Sequence, residues 1–150
     1  MSVTQVTKTG PRTYVPASGT TVTGGTFVEG RAAGRIGTAA AGSLKWLGVA
    51  LGDAQSPEAR DTATVPAAGL NGRPVINFGQ WPTNTAVAYS GAEVPVVYSA
   101  VAAFGESLVI TANGQVAPAG ATPDARTICG KCTEPAGVTV VGAVGLVRIA

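Results

Sequence analysis

One phrase is written twice along this chain, and the repetition limits what it can fold into. The first copy runs Thr26-Phe27-Val28, then Ala32-Ala33-Gly34-Arg35-Ile36, then Leu47-Gly48-Val49-Ala50. The second runs Ser107-Leu108-Val109, then Ala112-Asn113-Gly114-Gln115-Val116, then Cys129-Gly130-Lys131-Cys132. The offsets are 81, 80 and 82 residues, so the spacing holds to within a residue. Self-similarity at a fixed period points to a repeated supersecondary unit. A chain rich in Gly, Ala and Val also echoes itself by chance, and the sequence leaves both origins open. As a duplication, the pattern predicts similar β units at about 24–54 and 105–136, with Leu47 and Cys129 at equivalent buried strand positions.

What lies between the repeated words is β in character. Twenty-one glycines and ten prolines in 150 residues leave little room for long helices. Short Val/Thr/Ile/Leu runs separated by Gly, Pro and Asn read as a small sandwich or barrel. The clearest hairpin is Leu108 to Ala117 around Asn113-Gly114, a pair that supplies the positive φ values of a two-residue turn. Ala33-Gly34 stands at the matching place as a weaker turn former. Ser56-Pro57-Glu58 and Thr122-Pro123-Asp124 each read as a cap followed by proline, good for one helical turn apiece. A further short turn is expected over Ser99–Phe104. The segment 61–98 has no counterpart in the repeat; Val75–Phe78, Ala86–Tyr89 and Val94–Tyr98 read there as additional strands. Val138–Val141 and Leu146–Ile149 read as closing strands.

Residues 1–20 read as an extended N-terminal arm ahead of a β-rich domain at 21–150. Pro11 and Pro16 bracket Tyr14-Val15, and proline removes a donor that a central strand needs. The alternation Val3-Thr4 and Val6-Thr7 suits addition to a neighbouring sheet edge. Val3, Val6, Arg12, Tyr14 and Val15 are therefore candidate contacts to another subunit or a partner surface. Trp81, between Gln80 and Pro82, is the candidate interface anchor. Trp46 reads as a strand residue facing a core or an interface.

Composition narrows the function. Hydrophobic residues make up 45% of the chain and charged residues only 12%, about half the usual charged share. So few charges suit a protein whose surface is largely covered in an assembly. Residues 1–50 carry five basic side chains against Glu29 alone, a net of +4, and the remainder nets −2. The ten basic residues are spread singly and lack the interleaved aromatics of a stacking platform, so no nucleic-acid partner is expected. No apolar run approaches the length of a membrane helix. The first residues lack the apolar core of a signal peptide, so folding in a reducing cytoplasm without a structural disulfide is expected.

Histidine is absent, which removes Ser-His-Asp and Cys-His nucleophile pairs and most metal sites from a single chain. Gly24-Gly25 and Gly30-x-x-x-Gly34 lack the Gly-Lys-Ser/Thr of a phosphate loop. Cys129-Gly130-Lys131-Cys132 is the one motif with a catalytic look. A redox dithiol needs a helix N-terminus behind it, and Pro135 and Gly137 disfavour one. Zinc needs four ligands, and this pair supplies half of them, so a metal would be shared between subunits. Residues three apart in an extended strand lie ~10 Å from each other, too far for a disulfide. Buried packing thiols are the expected state. The chain is expected to be neither an enzyme nor a holder of a cofactor.

Several phrases resemble a known family. Gly25-Thr26-Phe27-Val28, the run Leu47 to Ala54, and Val94-Pro95-Val96 leading to Phe104-Gly105-Glu106-Ser107-Leu108-Val109 resemble small capsid decoration, or cement, proteins of tailed bacteriophages. The resemblance implies a β-rich structural protein made in the host cytoplasm and bound to the outside of an expanded capsid. It implies the major capsid protein as partner, self-association as a homotrimer and no catalytic residues. A head-fibre base or a tail component is the rival reading, with a thiol-redox or binding module using Cys129 and Cys132 behind it.

Overall fold

The structure, a computed structural model, describes residues 10–61 and 81–150. It is all-β among those residues, apart from one short helix and single 3-10 turns. Strands β1 (Arg12–Tyr14), β3 (Phe27–Gly30), β4 (Ile36–Thr38), β5 (Trp46–Ala50) and β7 (Thr85–Ala88) form one antiparallel sheet in the order β1-β7-β5-β3-β4. Strands β8 (Glu93–Val97), β9 (Ser107–Ile110), β10 (Val116–Pro118), β11 (Ile128–Cys132) and β12 (Val144–Ile149) form a second, in the order β10-β9-β11-β12-β8. Read from the opposite end, the first order becomes β4-β3-β5-β7-β1, the same arrangement of successive strands. The outer strands of each sheet meet only through an isolated bridge, Pro16 with Ile36 in the first and Tyr98 with Val116 in the second, so the sandwich reading holds and a continuous closed barrel does not.

The likeness extends to irregularities. Val28 and Glu29 pair with Gly48 and Trp46, leaving Leu47 as the extra residue of a bulge. Leu108 and Val109 pair with Gly130 and Ile128, leaving Cys129 in the same place. Gly25 N–H donates to the Ala50 carbonyl at 2.8 Å, and Gly105 N–H to the Cys132 carbonyl at 2.8 Å. Leu47 and Ala50 thus stand where Cys129 and Cys132 stand. Their burial differs: Cys129 is fully buried, whereas Leu47 is only half-buried against the outer cluster of the first sheet.

The turns follow local chemistry with small departures. The hairpin of the second unit closes on a three-residue loop, Ala112–Gly114, one residue longer than the Asn-Gly pair alone predicts. Asn113 (φ 61°) and Gly114 (φ 67°) both take the left-handed conformation. In the first unit Ala33 (φ 58°) and Gly34 (φ 68°) do the same. Helix α1 (Pro57–Asp61) starts after Ser56, whose Oγ accepts from the amides of Ala59 and Gly19. The later 3-10 turn, Ala125–Thr127, is capped by Asp124 rather than Thr122, because the Asp124 carboxylate accepts from the Arg126 amide. Ser99–Phe104 forms no helical turn; Ala102 bridges to Val138 instead. Of the expected strand at Val138–Val141 only Val138 pairs, and Val140 and Val141 are exposed.

Residues 12–14 are not a free arm. They pair with β7 as the edge strand of the first sheet, and Ala17 N–H donates to the Ile36 carbonyl at 2.7 Å. Segment 61–98 likewise holds strands of both sheets: β7 completes the first and β8 opens the second. The reading of Val75–Phe78 as a strand lies outside the described residues.

Cross-strand partners share a face of a sheet, and the register shows what each face meets. Phe27, Val49 and Ala88 form one row of the first sheet. They join Leu108, Ile110, Val116, Cys129, Cys132, Val147 and Ile149 in a single buried cluster between the sheets. Trp46 packs against that cluster, its ring edge-on to Phe27 at 5.9 Å. Val28, Ile36, Ala50 and Val87 lie on the other face of the first sheet. There Val22 covers them from the two-stranded pair of β2 (Thr21–Val22) and β6 (Ala54–Gln55). The outer face of the second sheet carries Ser107, Lys131 and Arg148 in register, with Lys131 and Arg148 exposed.

Candidate interaction surfaces

Cys129 and Cys132 are free thiols and both are buried. The Cys129 Sγ lies 3.4 Å from the Leu108 carbonyl oxygen, to which it donates. Burial pushes the Cys129 thiol up to about 12, so at neutral pH it is protonated. A nucleophilic or metal-binding sulfur is a thiolate, and this environment opposes one. No cluster of three or more His, Cys, Asp or Glu forms among the described residues. Both thiols are packed in the core cluster, where the first unit has the half-buried Leu47 and the buried Ala50.

The surface offers a different kind of feature. At one end of the second sheet Val144 pairs with Val97 and Leu146 with Pro95, a two-by-two apolar block on the outer face. Two neighbouring loops extend it. Val101, Phe104, Val140, Val141 and Val144 are between 53% and 65% exposed, although solvent gives large apolar side chains no reason to stay there. The backbone beneath is firmly held. Ala102 and Val138 exchange two hydrogen bonds at 2.9 and 2.8 Å, and Gly142 N–H donates to the Tyr98 carbonyl at 2.7 Å. Tyr98 is buried, and its hydroxyl donates to the Leu146 carbonyl at 3.0 Å. Burial and the neighbouring thiol of Cys132 raise the Tyr98 pKa well above its usual range, so the phenol stays neutral. Glu106 accepts from the Ala103 amide at 2.9 Å and fixes the loop before β9. The apolar tips are presented on a rigid base. Sequence patterning missed the loop part of this surface because Val101, Phe104, Val140 and Val141 sit in irregular backbone rather than in an alternating run.

The N-terminal candidates fall elsewhere. Arg12 is exposed on edge strand β1, with its guanidinium 5.5 Å from the Tyr14 ring centre. Tyr14 and Val15 are half-buried, and the Tyr14 hydroxyl lies 2.6 Å from that of Tyr89. Burial and that hydrogen bond raise Tyr89 to about 12. Trp81 is 41% exposed. Val3 and Val6 lie outside the described residues. A cavity of about 450 Å³ opens where the described chain begins, lined by Pro11, Leu51, Tyr89 and Val94 among others.

This architecture has a counterpart among solved structures. The chain is similar in fold to the N base of the head fibre gp8.5 of bacteriophage phi29. The TM-score is 0.57, and the likeness spans 94% of this chain and 95% of that one at 16% sequence identity. Both sheets are thus included, so what the head-fibre base shares is the whole two-sheet arrangement rather than one unit of it. No protein-family model and no curated protein matches the sequence.

Proposed function

We propose that this chain is a structural protein of a phage virion, seated on the outside of the capsid as the base of a head fibre. The end-to-end likeness in fold to the phi29 head-fibre base carries the reading. Two features of the chain support it. A charged share of 12% suits a protein buried among neighbours, and the apolar end around Phe104 and Val141 is a ready contact surface. The partner is the major capsid protein, and the chain associates with itself as a homotrimer. The role is mechanical, with no catalysis and no cofactor.

The phrases shared with cement proteins favour a second reading, in which copies cover the shell and bridge capsid subunits. Many modest contacts repeated over a lattice then resist outward pressure through multivalency. A decorator binds expanded capsids and binds procapsids poorly, because its site forms on expansion.

Labelled chain imaged on particles separates these readings. A few discrete positions identify a fibre base, and a dense regular lattice identifies a decorator. Purified chain that fails to sediment with either capsid form, and is missing from mature particles, overturns both.

A further inference from the structure

Two hairpin tips of this chain share one conformation, yet only the second is docked. Gly114 is buried, and its N–H donates to the Ala39 carbonyl of the first unit at 3.0 Å. A Cβ at Gly114 would overlap the Phe27 carbonyl oxygen and press on Thr38, so only glycine fits this contact. The first tip has the same backbone. Ala33 (φ 58°, ψ 27°) matches Asn113 (φ 61°, ψ 27°), and Gly34 (φ 68°) matches Gly114 (φ 67°). Arg31 N–H donates to the Arg35 carbonyl at 2.8 Å, as Thr111 N–H does to Gln115 at 2.8 Å. This tip is exposed from Arg31 through Gly34, and nothing lies within 4 Å of a Cβ placed at Gly34. Ala33 holds a left-handed conformation that disfavours alanine.

The acceptor is duplicated as well. Ala39 N–H donates to the Phe27 carbonyl at 2.9 Å, and Ala119 N–H donates to the Ser107 carbonyl at 2.8 Å. The Ala39 carbonyl receives Gly114, whereas no backbone donor among the described residues reaches the Ala119 carbonyl. One chain thus carries an unused tip on its first unit and an unused acceptor on its second. Within a chain they belong to opposite ends of the same repeated contact.

We propose that the tip Ala32–Gly34 of one copy docks on Ser107 and Ala119 of a second copy, with Gly34 N–H donating to the Ala119 carbonyl. The contact between units inside one chain is then repeated between chains. Such a contact joins unlike surfaces, so it builds a closed ring or an open chain according to its rotation. It assigns a surface to the self-association proposed above and rests on that reading.

Gly34→Asn tests it. Asparagine tolerates the left-handed backbone but adds a Cβ where the docked tip has no room. In sedimentation equilibrium the natural chain self-associates, and Gly34→Asn weakens association by at least about tenfold. Ala33→Asn, which adds no atom at position 34, associates as the natural chain does. In the assembled protein the Gly34 amide is protected from hydrogen exchange, and dilution to the monomer releases it. An assembly that Gly34→Asn leaves intact, or one whose Gly34 amide exchanges as in an open loop, overturns this contact while leaving self-association in place. A natural chain that stays monomeric at all concentrations overturns both.

Discussion

The two units lay out the same strands, bulge and hairpin, but equivalent faces meet opposite surroundings. Phe27, Val49 and Ala88 line the shared core, and their counterparts Ser107, Lys131 and Arg148 line an outer face. The reverse faces carry Val28, Ala50 and Val87 in one unit and Leu108, Cys132 and Val147 in the other, buried in both. A repeated backbone therefore needs the same glycines and turns twice, while each side chain answers only to what covers it. The units stack front to back rather than face to face. That leaves the outer face of the second unit uncovered by the first, and Ser107, Lys131 and Arg148 stand there in place of core residues.

The largest expected effect tests whether the tips differ in environment alone. Gly114→Ala should cost about 3 kcal/mol or more, from left-handed strain plus overlap with β3. Gly34→Ala in the dilute monomer should cost only about 1 kcal/mol, from strain alone. Urea unfolding of both variants measures the gap, and equal losses would mean that the docked tip is no tighter than the free one.

Next comes the bulge pair. Cys129→Ser buries a hydroxyl in an apolar setting and should lose about 2 kcal/mol. With its pKa at about 12, Cys129 should also resist alkylation near neutral pH until the chain unfolds. Fast labelling of the native protein would revive the redox reading.

A smaller effect separates Glu29 from its counterpart Val109. The Glu29 carboxylate ion-pairs with Arg31 at 2.8 Å and accepts from the Ala40 amide at 3.2 Å. A hydrogen bond from Ser43 and these neighbours hold its pKa below the ordinary value against the opposing effect of burial. A lowered folded-state pKa means stabilisation that is present above the unfolded value and lost as pH falls through the folded one. Glu29→Gln should therefore lose on the order of 1 kcal/mol at pH 7. It should also flatten the acid limb of stability below about pH 4.5. Thermal melts across pH 3 to 7, an interval that brackets the carboxylate range, provide the check; an unchanged acid limb would mean that other carboxylates govern it.

The smallest change concerns Ala33 and Asn113. Ala33→Asn should stabilise by up to ~1 kcal/mol and Asn113→Ala should destabilise by a similar amount, since asparagine adopts the left-handed region more readily. A pair of melts with the same sign would show that the two tips are not equivalent.

Much of this was legible in the residues. Asn113-Gly114 marked a hairpin, Ser56-Pro57 a helix start, and the paired phrases placed Leu47 opposite Cys129. The partners of the edge strands were not legible. Arg12–Tyr14 read as an arm because Pro11 and Pro16 flank it, and an edge strand tolerates such neighbours as easily as an arm does. Val138–Val141 read as a strand because its composition suits one. Val140 and Val141 stand instead in solvent, on a loop that Tyr98 and the buried Val138 pin in place. The exposed apolar end went unseen for the same reason: local pattern reports propensity, and exposure depends on residues far away in the chain.

By itself the sequence determined an all-β chain of short strands, a spacing kept twice to within a residue, and a cysteine motif without the setting of a redox site. Those follow from φ restrictions, turn chemistry and the absence of histidine, all local properties of the chain. Only the tertiary structure decided that the repeats are five-stranded sheets stacked front to back, with one tip docked and the other open. Burial and docking belong to pairs of surfaces, and distant segments meet only once the chain has folded.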